Sequence, residues 1–169
     1  MTNSSDLAGR LLGGGHGNRK VGKALYRGRG RLQFDRLTPA QRCAFPMLRT
    51  FLRSKLHRAT ITAADPDYEG SISIDRSLCR AAELLEFEQV DVYDITNGAR
   101  FTTYVIYGDA GQVQVNGAAA QLVRRGDLII VAAYATLVPD EIGRLKPRVV
   151  LLGPGNTVVS AEGHGVVAP

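Results

Sequence analysis

Two Asn-Gly pairs, Asn97-Gly98 and Asn116-Gly117, each close a short run in which apolar and polar residues alternate. Val90-Asp91-Val92-Tyr93-Asp94-Ile95 has one apolar and one polar face, the pattern of a half-buried strand. Asn-Gly readily supplies the positive φ angles of a tight hairpin, so 100–107 is expected to return beside it. Residues 112–115 read as another short strand ahead of the second turn, and 118–123 as a helical turn. A chain punctuated in this way is mainly β.

The remainder fits that frame. Residues 48–62 are expected to form one or two strands with a polar interruption, and Asp65-Pro66-Asp67 marks a turn. A short strand is expected over 68–74. Leu78, Ala81, Ala82, Leu84 and Leu85 fit a short helix with Asp75 or Ser77 as its N-cap. Arg125-Gly126-Asp127 turns into the apolar run 128–138, expected as a long buried strand that Pro139-Asp140 closes. Residues 148–152 read as a last strand, and Gly-rich 153–169 as a flexible C-terminal tail. Several short strands, two short helices and no internal repeat predict a small closed β-barrel.

The charge is unevenly placed. The 169 residues carry a net +5, with a pI near 9.5. Residues 1–46 hold 9 of the 21 Lys and Arg against two acids, for +7, and residues 47–169 sum to −2. The first 46 residues also hold 8 of the 19 glycines, including the Arg27-Gly28-Arg29-Gly30-Arg31 alternation. With so little apolar surface to bury, this segment is expected to be a disordered basic extension. It reads as an upstream extension of a chain starting at Met47, as an RNA-binding tail, or as an Arg-rich targeting peptide. It lacks the apolar stretch of a secretory signal. The longest apolar stretch, 128–138 with Thr136 inside it, has 11 residues, too short to span a bilayer. Cys43 and Cys79 alone make neither a disulfide framework nor a zinc site, and no metal is expected.

Singly, the chemistry-bearing motifs are weak. Lys55 and His57 flank Leu56 and would share one strand face. Gly70-Ser71 alone reads as a turn, and Arg100 as a sheet surface. Together and in order they are specific. The runs are Lys55-Leu56-His57-Arg58, Tyr68-Glu69-Gly70-Ser71, Thr96-Asn97-Gly98 followed by Arg100-Phe101 and Thr103-Tyr104, and Val115-Asn116-Gly117-Ala118-Ala119-Ala120. With them, residues 47–152 resemble bacterial aspartate 1-decarboxylase, a pyruvoyl enzyme that makes β-alanine for pantothenate and coenzyme A synthesis.

The resemblance implies a double-psi β-barrel with self-cleavage between Gly70 and Ser71. Decarboxylating an α-amino acid leaves a carbanion and needs an electron sink. No site for pyridoxal phosphate is recognisable, and Ser71 can supply a covalent pyruvoyl group instead. Its hydroxyl would attack the Gly70 carbonyl, giving an ester that eliminates to dehydroalanine and hydrolyses to pyruvoyl. Gly70 has no Cβ to obstruct that attack, and Thr103 and Asn116 are the implied oxyanion donors.

By the same resemblance, L-aspartate forms a Schiff base with the pyruvoyl group. Arg100 binds a carboxylate bidentately, and Lys55 is a second cationic contact. Thr103, Gly117, Ala118 and Ala119 hold the substrate, and Tyr104 donates the proton. His57, Tyr68 and Tyr93 stand as active-site walls or as packing residues; Glu69 reads as structural or solvated. A homotetramer acting in the cytoplasm is also implied, in some members with an accessory maturation factor. Two other readings are a pyruvoyl decarboxylase of another acidic amino acid, such as glutamate, and a nucleic-acid-binding module that uses the basic arm.

Overall fold

A computed structural model describes residues 47–167. The basic extension, with the upstream-extension, nucleic-acid and targeting readings that rest on residues 1–46, lies outside the described residues. The strands are β1 (Arg49–Thr60), β2 (Ala63–Asp65), β3 (Ser71–Asp75), β4 (Gln89–Asp94), β5 (Arg100–Gly108), β6 (Val113–Asn116), β7 (Leu128–Leu137), β8 (Leu145–Leu152) and β9 (Val158–Val167). The helices are α1 (Arg76–Ala82) and α2 (Pro139–Ile142), with 3-10 turns at Gly117–Leu122 and Pro154–Asn156.

The strand order is β2-β6-β3-β5-β4-β7-β1-β8-β9. β1 and β2 therefore stand six places apart, although only Ile61 and Thr62 join them. Six spacings of about 4.8 Å would span roughly 29 Å in a flat sheet, and three Cα steps reach at most about 11 Å. The sheet must curl on itself, which makes it a small barrel. Ile61 and Thr62 stitch the closure by donating their amides to the carbonyls of Asp127 and Val113, at 2.9 and 2.7 Å. Pairing is mixed, with β1–β8, β2–β6 and β3–β5 parallel.

One face of β1 and of β3 to β8 fills the interior. Leu56, Ile72, Ile74, Val90, Val92, Val105, Val115, Ile129, Val131 and Val150 are essentially inaccessible. Fully burying each contributes roughly 1.5–3 kcal/mol. The hairpin closes through a longer loop than a two-residue Asn97-Gly98 turn: Tyr93 pairs with Arg100, the Asp94 amide donates to the Ala99 carbonyl, and of the pair only Gly98 has a positive φ, +82°. Asp75 caps α1 through its carboxylate and the Ser77 amide, and Glu83 in the left-handed region ends it. Leu84 and Leu85 thus fall just past the helix.

β1 is a single continuous strand, one of the two arrangements expected for 48–62, and its polar interruptions Arg53 and Arg58 sit at register shifts. Three expectations change. The strand expected over 68–74 begins only at Ser71, with exposed 66–70 before it. β7 is buried only in part, since Tyr134 and Thr136 face outward at its far end. The largest correction concerns 153–169, where β9 pairs antiparallel with β8 instead of hanging loose. Its glycines serve close approach. A Cβ on Gly163 would sit 2.1 Å from the Pro147 carbonyl oxygen, and one on Gly165 would sit 3.0 Å from that of Arg53.

Asn156 ties this C-terminal region to the barrel. It is buried at φ +57°, and its amide bonds the Thr60 N–H at 2.7 Å and the Thr60 carbonyl at 3.0 Å. Asn156→Ala would strand both backbone groups and place Ala in the left-handed region. A loss of about 2–4 kcal/mol is expected, read as a lower urea midpoint with an unchanged slope.

Candidate active site

The register of the sheet gathers the predicted residues on its outward face. Lys55 lies opposite Ala132, which lies opposite Asp91, which lies opposite Thr102. The next row reads His57, Ile130, Tyr93, Arg100. Directly paired residues point the same way, and Leu56, Val131 and Val92 of the intervening row point into the core. Lys55, His57, Asp91, Tyr93, Arg100 and Thr102 therefore share the outer face. On the other side of β5, Ile72 pairs with both Val105 and Val115 toward the interior. That turns Ser71, Ser73, Tyr104 and Asn116 outward as well. Thr103 alternates to the face of Phe101 and Val105.

Ser71 opens β3 and is 1% exposed, whereas 66–70 before it are exposed. Its hydroxyl accepts a hydrogen bond from Asn116 Nδ2 at 2.9 Å and reaches the Glu69 carbonyl at 3.4 Å. Asn116 Nδ2 also donates to Ser73 Oγ at 2.9 Å. Both protons of the amide are thus committed to hydroxyls. In the uncleaved chain Asn116 orients the Ser71 hydroxyl, and it does so without Thr103. Asn116 Oδ1 accepts from Gln114 Nε2 at 2.8 Å, and Gln114 Oε1 accepts from Gln112 Nε2 at 3.0 Å. Gln112 Oε1 accepts from the Asp109 amide at 2.8 Å.

Gly117 begins the turn after β6 at φ +66°. A Cβ there would lie 2.7 Å from Gly70 Cα, 2.9 Å from Gly70 N and 3.2 Å from the Tyr68 carbonyl oxygen. The turn therefore packs backbone to backbone against the peptide preceding Ser71. A Cβ on Gly70 itself would meet nothing within 4 Å. The close packing of this turn thus requires glycine at 117.

Arg100 lies over the Tyr93 ring at 5.3 Å. The Tyr93 hydroxyl bonds that of Tyr134 at 2.9 Å and donates to Asp91 Oδ2 at 3.3 Å. Thr102 Oγ1 donates to Asp91 Oδ1 at 2.6 Å. The Tyr134 contact, then burial, push the Tyr93 phenol above its ordinary pKa, so it stays neutral under the guanidinium. A cavity of about 170 Å³ opens beside this group, lined by Asp91, Tyr93, Arg100, Phe101 and Thr102.

The remaining residues are less closely gathered. Tyr104, 38% exposed, precedes Val105, the first β5 partner of β3, and its ring centroid is 6.5 Å from that of Phe87. Lys55 and His57 are half-buried on β1, two strands from β4. Burial, then Lys55 and Arg58, lower the His57 pKa, so its ring is neutral at neutral pH, with Nδ1 buried and unpartnered. Ala118 is exposed and Ala119 half-buried in the turn after Gly117. The Tyr68 side chain is 53% exposed, so within this chain it forms no wall and only its backbone meets Gly117. Burial pushes the Cys79 thiol up to about 12, leaving it inert. Among the described residues no three His, Cys, Asp or Glu side chains cluster as metal ligands, and no helix is long and apolar enough to cross a membrane.

Sequence reasoning missed Gln112, Gln114, Ser73 and Tyr134. The available signal was the polar series Gln112, Gln114, Asn116 at strand spacing, continuing to Ser71 once β6 pairs with β3.

Comparison with known proteins places the chain in a family. The family model described as aspartate decarboxylase matches residues 47–159. An aspartate 1-decarboxylase from Caulobacter vibrioides is 55% identical over 117 residues, covering 68% of this chain and 99% of the relative. Another from Methylibium petroleiphilum is 51% identical over 118 residues, covering 69% and 98%. One from Ralstonia pickettii is 49% identical over 114 residues, covering 66% and 95%. The chain belongs to the aspartate decarboxylase family.

Proposed function

We propose that the protein decarboxylates L-aspartate to β-alanine and CO₂, supplying pantothenate and coenzyme A synthesis, with a pyruvoyl group made from its own Ser71. The observation that carries this reading is the Ser71 hydroxyl, buried at the start of β3 and held by Asn116, directly after the exposed 66–70 segment. Such a residue fits a self-cleaving serine. Ser71 Oγ bonds to the Gly70 carbonyl carbon, and the C–N bond breaks as the amide nitrogen takes the hydroxyl proton, leaving an ester. Loss of the Ser71 Cα proton then breaks the Cβ–O bond and frees the Gly70 carboxylate. Water replaces the nitrogen, which leaves as ammonia, and the new chain starts with pyruvoyl.

That group supplies an electron sink for the pair left behind by CO₂. The chain's own residues bind and protonate. Arg100 receives a substrate carboxylate, and its stack on Tyr93 fixes where the guanidinium sits. Lys55 adds a second positive charge on the same face. Gly117, Ala118 and Ala119 bound the substrate, whereas Thr103 lies on the opposite face of β5 from Arg100 and Tyr104. Tyr104 shares the face of Ser71 and carries the phenolic proton delivered to carbon. His57 and Tyr93 form walls. Lys55 and Arg100 stand on the outside of one barrel, alongside exposed Leu85 and Phe87. A homotetramer that closes these faces fits the pattern, and light scattering of the purified protein tests it. We place the activity in the cytoplasm.

The direct experiment is intact-mass analysis with a product assay on L-aspartate and, in parallel, L-glutamate. The expected result is two fragments, 1–70 and 71–169, and β-alanine from aspartate. An intact chain that never cleaves and makes no β-alanine refutes the reading.

Arg100→Ala is expected to raise the KM for aspartate about 10- to 100-fold, the scale of a lost charge-assisted hydrogen bond, while cleavage proceeds normally. Tyr134→Phe removes one support of Tyr93 and should raise KM only a few-fold. Steady-state kinetics on fully cleaved protein separates the two.

A further inference from the structure

We propose that Gln112 and Gln114 are positioning residues for self-cleavage, setting which end of the Asn116 amide faces Ser71. This rests on the self-cleaving reading above and deepens it. A side-chain amide has two orientations of nearly equal shape. Flipped, Asn116 would turn Oδ1 toward Ser71 and Ser73, and both hydroxyls could donate to it, so the local contacts alone do not choose. Gln114 chooses. Its Nε2 donates to Asn116 Oδ1 at 2.8 Å, and a flip would set donor against donor. Gln114 is held in the same way by Gln112 Nε2 at 3.0 Å. Gln112 is held by the Asp109 backbone N–H at 2.8 Å, a group that cannot invert. Gly108 leaves room for this last link, because a Cβ there would lie 2.6 Å from Gln112 Oε1. The direction of the relay is therefore written by one backbone amide and read out at Ser71.

The direction matters to the chemistry. As Ser71 Oγ bonds to the Gly70 carbonyl carbon, negative charge collects on the carbonyl oxygen. An N–H beside the nucleophile can follow that charge, and a carbonyl oxygen in its place can only repel it.

Three variants of the full chain test this, with cleavage followed by intact mass and folding by thermal unfolding. Gln114→Glu presents a carboxylate to Asn116 and turns Nδ2 away from Ser71. Cleavage at pH 7.5 should slow at least about 10-fold. Below about pH 5 the protonated carboxyl donates again, so the deficit relative to wild type at the same pH should shrink. Gln114→Leu loses the bias without reversing it and should slow cleavage a few-fold at every pH. Gln112→Glu, one link farther from Ser71, should reproduce the pH-dependent slowing by inverting Gln114 in turn, and it serves if Gln114→Glu does not fold. Folded Glu variants that cleave at the wild-type rate, or slow by a pH-independent factor, overturn the relay alone. A wild-type chain that never cleaves overturns it together with the self-cleaving reading.

Discussion

Ser71→Ala is expected to leave the protein as a single 169-residue chain that makes no β-alanine. Alanine keeps the backbone of β3, so the pairs from Ile72–Val105 and Ile72–Val115 onward are untouched. Asn116 loses one of its two hydroxyl acceptors and keeps Ser73 and Gln114. An amide proton left unpaired at a buried site costs about 1–3 kcal/mol, which a barrel with this many buried β-branched residues tolerates. The chemistry has no such reserve. Without Oγ no ester forms, and without the ester there is no elimination. The loss of both cleavage and decarboxylation should exceed about 10⁴-fold, beyond what removing a single oxyanion donor costs. Circular dichroism checks the fold, and mass analysis the chain. Cleavage at residue 70 in this variant would remove Ser71 as the nucleophile.

The parts of this molecule readable in its sequence are those whose cause is local. Alternation at Val90 to Asp94 and the chemistry of Asn97-Gly98 specify a hairpin, and β4 and β5 form it with the expected faces. Asp75 and Ser77 are two residues apart, and the cap follows from which of them precedes the helical turn. The rest depends on contacts between distant segments. Tyr93 meets Tyr134, 41 positions away, only because β4 pairs with β7. The polar series on β6 reaches Ser71 only because β6 pairs with β3. Glycine misleads most. In 153–169 it suggests looseness, whereas Gly163 and Gly165 permit tight crossing of neighbouring backbone. The order Lys55, Ser71, Arg100, Asn116 names the site residues, but only the register of six strands shows that they share one face.

Gly117→Ala is expected to stop self-cleavage while the barrel still folds, and Gly98→Ala is its control. Both glycines have positive φ, +66° and +82°, so each alanine pays about 1–2 kcal/mol of backbone strain. At Gly98 nothing stands within 4 Å of the new Cβ, and strain is the whole effect. At Gly117 the Cβ would fall 2.7 Å from Gly70 Cα and 2.9 Å from Gly70 N, both backbone atoms that no rotamer change can clear. Either the turn or the 68–70 segment has to move. The turn is anchored by Asn116 in the β3–β6 ladder, and 68–70 is exposed, so the segment carrying the scissile carbonyl yields. Displacing a reacting carbon by about 1 Å costs on the order of 100-fold in rate. Gly117→Ala should thus cleave at least about 100-fold slower than wild type, and Gly98→Ala within about threefold, with comparable losses of stability from strain. Parallel time courses of intact mass and thermal unfolding separate the two effects. Equal cleavage by both variants would mean that the Gly117–Gly70 contact does not hold the scissile peptide in place.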